Sequence, residues 1–389
     1  APAGDEGAAL LAAGVTNELI TDLARFDGLA VYAGAGAGAE GGAVAPVAAG
    51  GAGFVVAGNV ARDAERLHVS VRLAERESGR IVWSERYERS PTIDGLLALE
   101  TELSAGIATW LAQPYGIIHT AVARGAAEAR PATLFAYDCV QRALLFRMTS
   151  DRTTYPGVRR CLEESIRRDP GYADAWAMLA FAHLDASRFG MVETASREVE
   201  LAAALSAAQR ATRLAPDRVR GLQALAAARY MSGAFDEAER LQRRAIERNP
   251  NDPESRAQLG WRLVARGRAA EGEQMIQQAI DRSTRPPSWY DVALALALHL
   301  KGEPESALAA ARQGASFCCG FGQATLAITE AAAGDPARAR DALATAIRQA
   351  PVIADAPRAF WRSMLFAEDV VTRLNQGLAE AGLDLQADS

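Results

Sequence analysis

Lysine is almost missing from this chain: of 42 basic residues, Lys301 is the one that is not arginine. Acidic residues number 48, and the whole formal charge of −6 falls in residues 1–130, with 16 acidic and 10 basic side chains, while the remainder balances at 32 against 32. Without a basic stripe there is no electrostatic footprint for nucleic acid. Four cysteines at irregular spacing are too few for a disulfide scaffold or a zinc site. The four histidines, His68, His119, His183 and His299, form no pair at metal-ligand spacing. No nucleophile elbow, lysine-bearing phosphate loop or metalloprotease His pair occurs, so catalysis has no constellation to stand on. The expectation is a non-enzymatic region with no cofactor, no metal and no direct nucleic-acid partner. No apolar run approaches the roughly 20 residues a membrane span requires, and Ala1 opens polar sequence without a signal-peptide pattern.

What is present is periodicity. Gly233, Gly267, Gly302 and Gly334 each end a short helical hairpin, at intervals of 34, 35 and 32 residues. Pro216 and Pro250 are 34 apart in the same phase, and Pro351 closes the last unit at the matching place. Such a beat marks a stack of helix pairs, which favours binding over catalysis. Ala dominates the composition and aromatics make up only 6%, as suits helices nested through small side chains. Two looser units precede these four. Leu134 to Met148 pairs with Pro156 to Arg168, and Ala173 to Leu184 pairs with Glu198 to Leu214, with about 12 residues inserted near 185–196. A closing helix is expected around Phe366 to Ala381.

The first 124 residues read differently. An amphipathic helix over 8–26, a strand over 29–33, and strands over 54–62, 67–76 and 81–89 precede a helix over 92–111, with a linker at 125–131. Sixteen of the twenty residues in 34–53 are Gly or Ala. Gly34 to Ala39 follows an expected strand, as a dinucleotide fingerprint would, but the residues after it make poor helix material for a phosphate site, so a low-complexity connection is preferred. The fold class is α+β overall: a small α/β domain, then an all-α solenoid over 132–352, then closing helices over 353–389.

Cys139 and Cys161 fall on partner helices of one hairpin, where either a disulfide or plain small-residue packing is open to them. The Arg pairs at 159–160, 167–168 and 243–244 share their helices with Glu163, Glu164, Glu239 and Glu247, which reads as a solvated face more readily than as a docking patch. Registering the units by their glycines turns Phe181, Tyr230, Trp261, Trp289, Leu296, His299, Phe321 and Ile328 toward the inner wall. An amphipathic helix or extended peptide docked there would use these as anchors. Alternatively, the closing segment with Phe360, Trp361 and Phe366 fills the groove from within the chain.

Asp174-Ala-Trp176-Ala-Met-Leu179-Ala180, the run Leu225 to Pro250, and the set Leu326, Gly334, Ala339, Ala346 and Pro351 resemble the tetratricopeptide repeat. The front part resembles the TolB amino-terminal-like domain, through Gly14-Val-Thr-Asn-Glu-Leu-Ile20, Leu23-Ala-Arg-Phe26, Val56 to Arg62, Gly79 to Tyr87 and Ala136-Tyr-Asp138. The tail Leu374 to Leu383 is similar to how such proteins finish. Two features of that domain are not matched: an apolar strand before Gly4-Asp5-Glu6, and a helix where this chain has its Gly/Ala stretch. The resemblance implies the sensory or protein-contact half of a bacterial transmembrane regulator on the extracytoplasmic side, with a winged helix or a class III nucleotide cyclase as the effector upstream. A protein or peptide in the repeat groove is the partner it implies.

Overall fold

A computed structural model describes residues 6–33, 53–62, 66–89, 96–114, 116–125, 135–191, 196–283 and 286–385. The chain divides into two compact units, Ala1–Gly125 and Ala126–Ser389. The Gly34 to Ala39 segment and nearly all of the expected linker lie outside the described residues.

The first unit is a three-stranded antiparallel meander, β1 (Phe54–Arg62), β2 (Leu67–Glu75) and β3 (Ile81–Arg89), beside α1 (Glu6–Ala24) and α2 (Leu96–Ala112). Alternation along β2 buries Leu67, Val69, Val71 and Leu73, as the period of two requires of a sheet with one covered face. Leu11, Val15, Leu19 and Leu23 of α1 are buried, as are Leu99, Leu103, Ile107 and Leu111 of α2, and the two helices pack together. Trp83 and Tyr87 of β3 hold the Trp110 ring at centroid distances of 6.1 and 6.2 Å. Two sequence expectations change here. Residues 29–33 form no strand among the described residues, and a strand without a ladder partner gains nothing from its backbone groups. A further helix, α3 (Ile117–Gly125), follows Pro114, where the sequence analysis assigns no element.

The second unit is a tetratricopeptide-like stack of six hairpins. They are α4/α5 (Phe135–Thr149, Tyr155–Arg168), α6/α7 (Ala173–Arg188, Arg197–Leu214), α8/α9 (Val219–Met231, Phe235–Arg248), α10/α11 (Pro253–Ala265, Ala269–Arg282), α12/α13 (Ser288–Lys301, Pro304–Gly314) and α14/α15 (Phe321–Ala332, Pro336–Gln349). Each helix packs on its hairpin partner and on the following hairpin, the sequential adjacency of a solenoid. The phased glycines have one cause. Gly233, Gly267, Gly302 and Gly334 all sit at φ between 79° and 85°, the left-handed turn that ends the first helix of a pair and that side chains with a Cβ resist. Asp252 and Asp335 cap the following helices by accepting the backbone N–H of Ser255 and Arg338.

Small residues set the helix spacing. At the crossing of α10 and α11, a Cβ on Gly260 would lie 2.7 Å from the Gly272 carbonyl oxygen, and one on Gly272 would lie 2.8 Å from the Gly260 carbonyl oxygen. The two backbones touch there. Cys139 and Cys161 are joined, their Cα atoms 5.4 Å apart, tying α4 to α5 across 22 residues. A loop of that size restricts the unfolded chain by about 3 kcal/mol in the chain-entropy account.

Beyond α15 the chain turns back through α16 (Val352–Asp355), α17 (Pro357–Arg362) and α18 (Glu368–Glu380), the last within the 366–381 stretch read as a closing helix. Pro357 and the left-handed Leu365, at φ 57°, break the path. Among the described residues no helix is long and apolar enough to cross a membrane.

Gly260→Val should destabilise the second unit by about 1–3 kcal/mol through overpacking of a backbone contact. Urea unfolding checks it, and the change should appear in the midpoint with little change in slope.

Candidate functional site

The inner wall of the solenoid is built by the first helix of each hairpin, and the returning C-terminal segment covers part of it. Ala367 donates its N–H to the Ala265 carbonyl at 2.8 Å, the Tyr230 hydroxyl donates to the Leu365 carbonyl at 3.1 Å, and Arg373 reaches the Leu300 carbonyl at 2.6 Å. The segment therefore caps the ends of α10 and α12 and accepts a side-chain hydrogen bond from α8. Aromatic rings follow the same path. Phe366 stands 5.7 Å from Trp261 and 5.8 Å from Trp361, and Phe321 is held 4.3 Å from Phe360 and 5.8 Å from Trp361.

The eight residues registered on this wall divide accordingly. Leu296, Phe321 and Ile328 are buried, and a Cβ on Gly377 of α18 would meet Ile328 at 2.7 Å. His299 is partly buried on α12; burial and the nearby Arg373 pull its pKa down while Glu380 opposes them. Phe181, Tyr230, Trp261 and Trp289 instead share one cavity of about 720 Å³, counting its open mouth. The closing segment thus occupies the wall around Leu296, Phe321 and Ile328, and the cavity lies along the first helices α4 to α12, bounded by Met364 on the C-terminal side.

The cavity has a polar floor that glycine registration does not reveal. Glu254, Gln258 and Arg262 recur every four residues along one face of α10, and all three are buried. Tyr290 donates to Glu254 at 2.8 Å, Gln258 donates to Glu254 at 2.8 Å, and Arg262 donates to Gln242 at 2.6 Å. Arg147 approaches Glu254 at 3.3 Å and Asp185 at 3.5 Å, and Arg188 pairs with Asp185. The i, i+4, i+8 run of polar side chains on an otherwise inward face was the readable signal for this floor.

Three guanidiniums, Arg147, Arg188 and Arg262, face the space against the carboxylates of Asp185 and Glu254. Arg147 stacks 3.9 Å from the Phe181 ring centroid, Arg188 lies 5.3 Å from Phe189, and Arg262 lies 5.9 Å from Tyr230. Burial pulls Arg262 down to about 9; Tyr230 opposes this, and Arg188 and Arg147 add to it. Burial pushes Tyr230 up to about 12, against the pull of Arg266 and Arg262. Both shifts come first from burial; the positive balance of the site is in its groups, three guanidiniums against the carboxylates of Asp185 and Glu254. The Nε of Arg188 is buried without a hydrogen-bond partner among the described residues.

The Arg pairs of the second helices stand elsewhere. Arg159 bonds Glu163 and Glu200, Arg167 and Arg168 both pair with Glu164, and Arg243 bonds Glu239 and Glu271. Their charge is spent within the stack. Among the described residues no cluster of His, Cys, Asp or Glu has the makings of a metal site.

No family model matches the chain. A curated protein, "Putative adenylate cyclase 3" of Rhizobium meliloti (strain 1021), is 27% identical over 187 residues, 46% of this chain and 31% of that protein. The chain therefore spans less than a third of that relative. Similar solved structures include the APC/C hetero-tetramer Cut9-Hcn1, at 14% identity and TM-score 0.45 over 74% of this chain and 49% of that one. Pseudomonas aeruginosa pilF matches at 16% identity and TM-score 0.40 over 56% of this chain and 93% of that one. YrrB, described as a TPR protein with an unusual peptide-binding site, matches at 14% identity and TM-score 0.32, covering 55% of this chain and 97% of its own. With scores below 0.5, the repeat architecture rests on the helix packing above.

Asp291, on α12 beside Trp289 and Tyr290 in sequence, is pushed up to about 6 by burial. A carboxyl whose folded pKa exceeds its unfolded value stabilises the fold at low pH, and that stability is lost as pH rises through about 4 to 6. Asp291→Asn should therefore gain stability relative to the parent chain between pH 4 and pH 7. Urea unfolding of both at the two pH values reads the difference, and an equal difference at both contradicts it.

Proposed function

We propose that the chain is a non-catalytic, protein-interaction or sensory region of a bacterial signalling protein, and that it takes a peptide segment of its partner into the cavity over the first helices α4 to α12. The carrying observation is the aromatic and guanidinium lining of a space that the C-terminal segment leaves open, formed by Phe181, Tyr230, Trp261, Trp289, Arg188 and Arg262. Rigid rings give contact area at little entropic loss, and guanidiniums beside them favour a carboxylate. The fitting occupant is an extended segment with an aromatic or long aliphatic side chain next to an acidic one.

The front domain supports this reading through its TolB amino-terminal-like words, which in such regulators precede repeats. Leu296, His299, Phe321 and Ile328 then act from behind, by holding the closing segment that forms one bank of the cavity. A second reading is favoured by the partial match to the adenylate cyclase relative: this chain is the C-terminal region of a class III cyclase. The two readings share the same role for the cavity and differ in the effector they serve.

An immobilised library of acidic and apolar peptides tests the proposal on the purified chain. Peptides joining an aromatic residue to Asp or Glu should be retained, and Trp261→Ala and Trp289→Ala should each weaken the selected peptide by more than about 1 kcal/mol. Arg188→Gln should weaken acidic peptides and flatten their salt dependence. Unchanged affinity in both tryptophan variants, with folding verified by circular dichroism, would reject the assignment.

A further inference from the structure

Cys318 and Cys319 occupy the turn between α13 and α14 with their sulfurs 2.8 Å apart, and both are partly exposed. Cys319 has φ 62° and Gly320 has φ 83°, so two consecutive residues stand in the left-handed region. For a residue with a Cβ this backbone costs on the order of 1–3 kcal/mol and persists only where its surroundings impose it. They do so here. Phe317 donates its N–H to the Gly314 carbonyl at 2.9 Å, and Phe321 donates to the Cys318 carbonyl at 3.2 Å. The Phe317 ring is wedged between Phe189 at 5.9 Å and Phe321 at 6.4 Å.

The turn also meets the far end of the stack. Ser150 lies near enough to Cys318 and Arg152 near enough to Cys319 to pull on their thiols, and Arg152 donates to the Phe189 carbonyl at 2.7 Å. The two sulfurs are chemically unequal. The hydrogen bond between the two thiols, with Arg152 adding to it, holds the Cys319 thiol below its ordinary range despite burial, while the same bond and burial push Cys318 up. One is suited to attack as a thiolate, and the other keeps its proton until needed.

We propose that Cys318 and Cys319 form a redox-active dithiol that closes to a vicinal disulfide by exchange with a small-molecule disulfide. The Cys319 thiolate attacks one sulfur of the incoming disulfide, forming a mixed disulfide and expelling one thiolate. Cys318 then loses its proton to solvent and attacks Cys319 Sγ, forming the Cys318–Cys319 bond and expelling the second thiolate. The pair gives up two electrons, and the small disulfide is reduced to two thiols. Consecutive Cα atoms are about 3.8 Å apart, shorter than the ~4.4–6.8 Å usual for disulfides. Such a bond is strained and easily reopened. Cys139–Cys161, at 5.4 Å, has no such constraint. Phe317, one residue before the pair, lines the cavity, so the ring closes at its rim. The proposal stands independently of the peptide reading.

The test is a glutathione redox titration of the full chain, with intact mass and peptide mapping. The expected product is lighter than the dithiol by two hydrogen atoms, linked between Cys318 and Cys319, and reopened by dithiothreitol before Cys139–Cys161 opens. Cys318→Ser should stop at the glutathione adduct on Cys319 and form it faster than Cys319→Ser forms its adduct on Cys318. A parent chain that keeps two free thiols across the titration, or accumulates a stable glutathione adduct, overturns the proposal. So does opening only together with Cys139–Cys161.

Discussion

The returning segment from Met364 to Arg373 decides what the solenoid can offer. A stack of helical hairpins leaves an apolar inner wall, and such a wall exposed along its full length would be an aggregation hazard. Here the chain supplies its own cover. Backbone carbonyls at the ends of α10 and α12 accept from Ala367 and Arg373, the Leu365 carbonyl accepts from the Tyr230 hydroxyl of α8, and Phe360, Trp361 and Phe366 fill the space above Phe321. Trp361 is wholly buried, so this contact belongs to the core of the unit. The cover stops at Met364, and the cavity begins there.

That arrangement explains why a polar network can survive inside. Charges so deep are tolerated only when paired and hydrogen-bonded, and Glu254 serves Arg147, Gln258 and Tyr290 at once. The guanidiniums that remain in excess face the cavity and stack on its rings, which gives the site both an apolar surface and a preference for anions. Ion pairs on the second helices, such as Arg243 with Glu239 and Glu271, tie neighbouring hairpins and leave little field for recognition.

The hairpins were legible in the sequence because their punctuation has a local cause. Gly233, Gly267, Gly302 and Gly334 are required by one backbone geometry, so their spacing alone gives the period. The fate of the groove was not legible, because it depends on a contact between Ala265 and Ala367 that no periodicity encodes. The polar floor was half legible: Glu254, Gln258 and Arg262 show their common face at four-residue spacing, but Arg147 and Asp185 meet it only through folding. Residues 29–33 had the composition of a strand and lacked a neighbour to pair with.

Native-state hydrogen exchange at the Ala367 amide tests the central claim most directly. If the returning segment is part of the inner wall, this amide and those of α18 exchange only with global unfolding of the second unit, at the same free energy as the amides of α10 and α12. Exchange of α18 by a separate low-energy opening, with α10 and α12 still protected, would contradict the account.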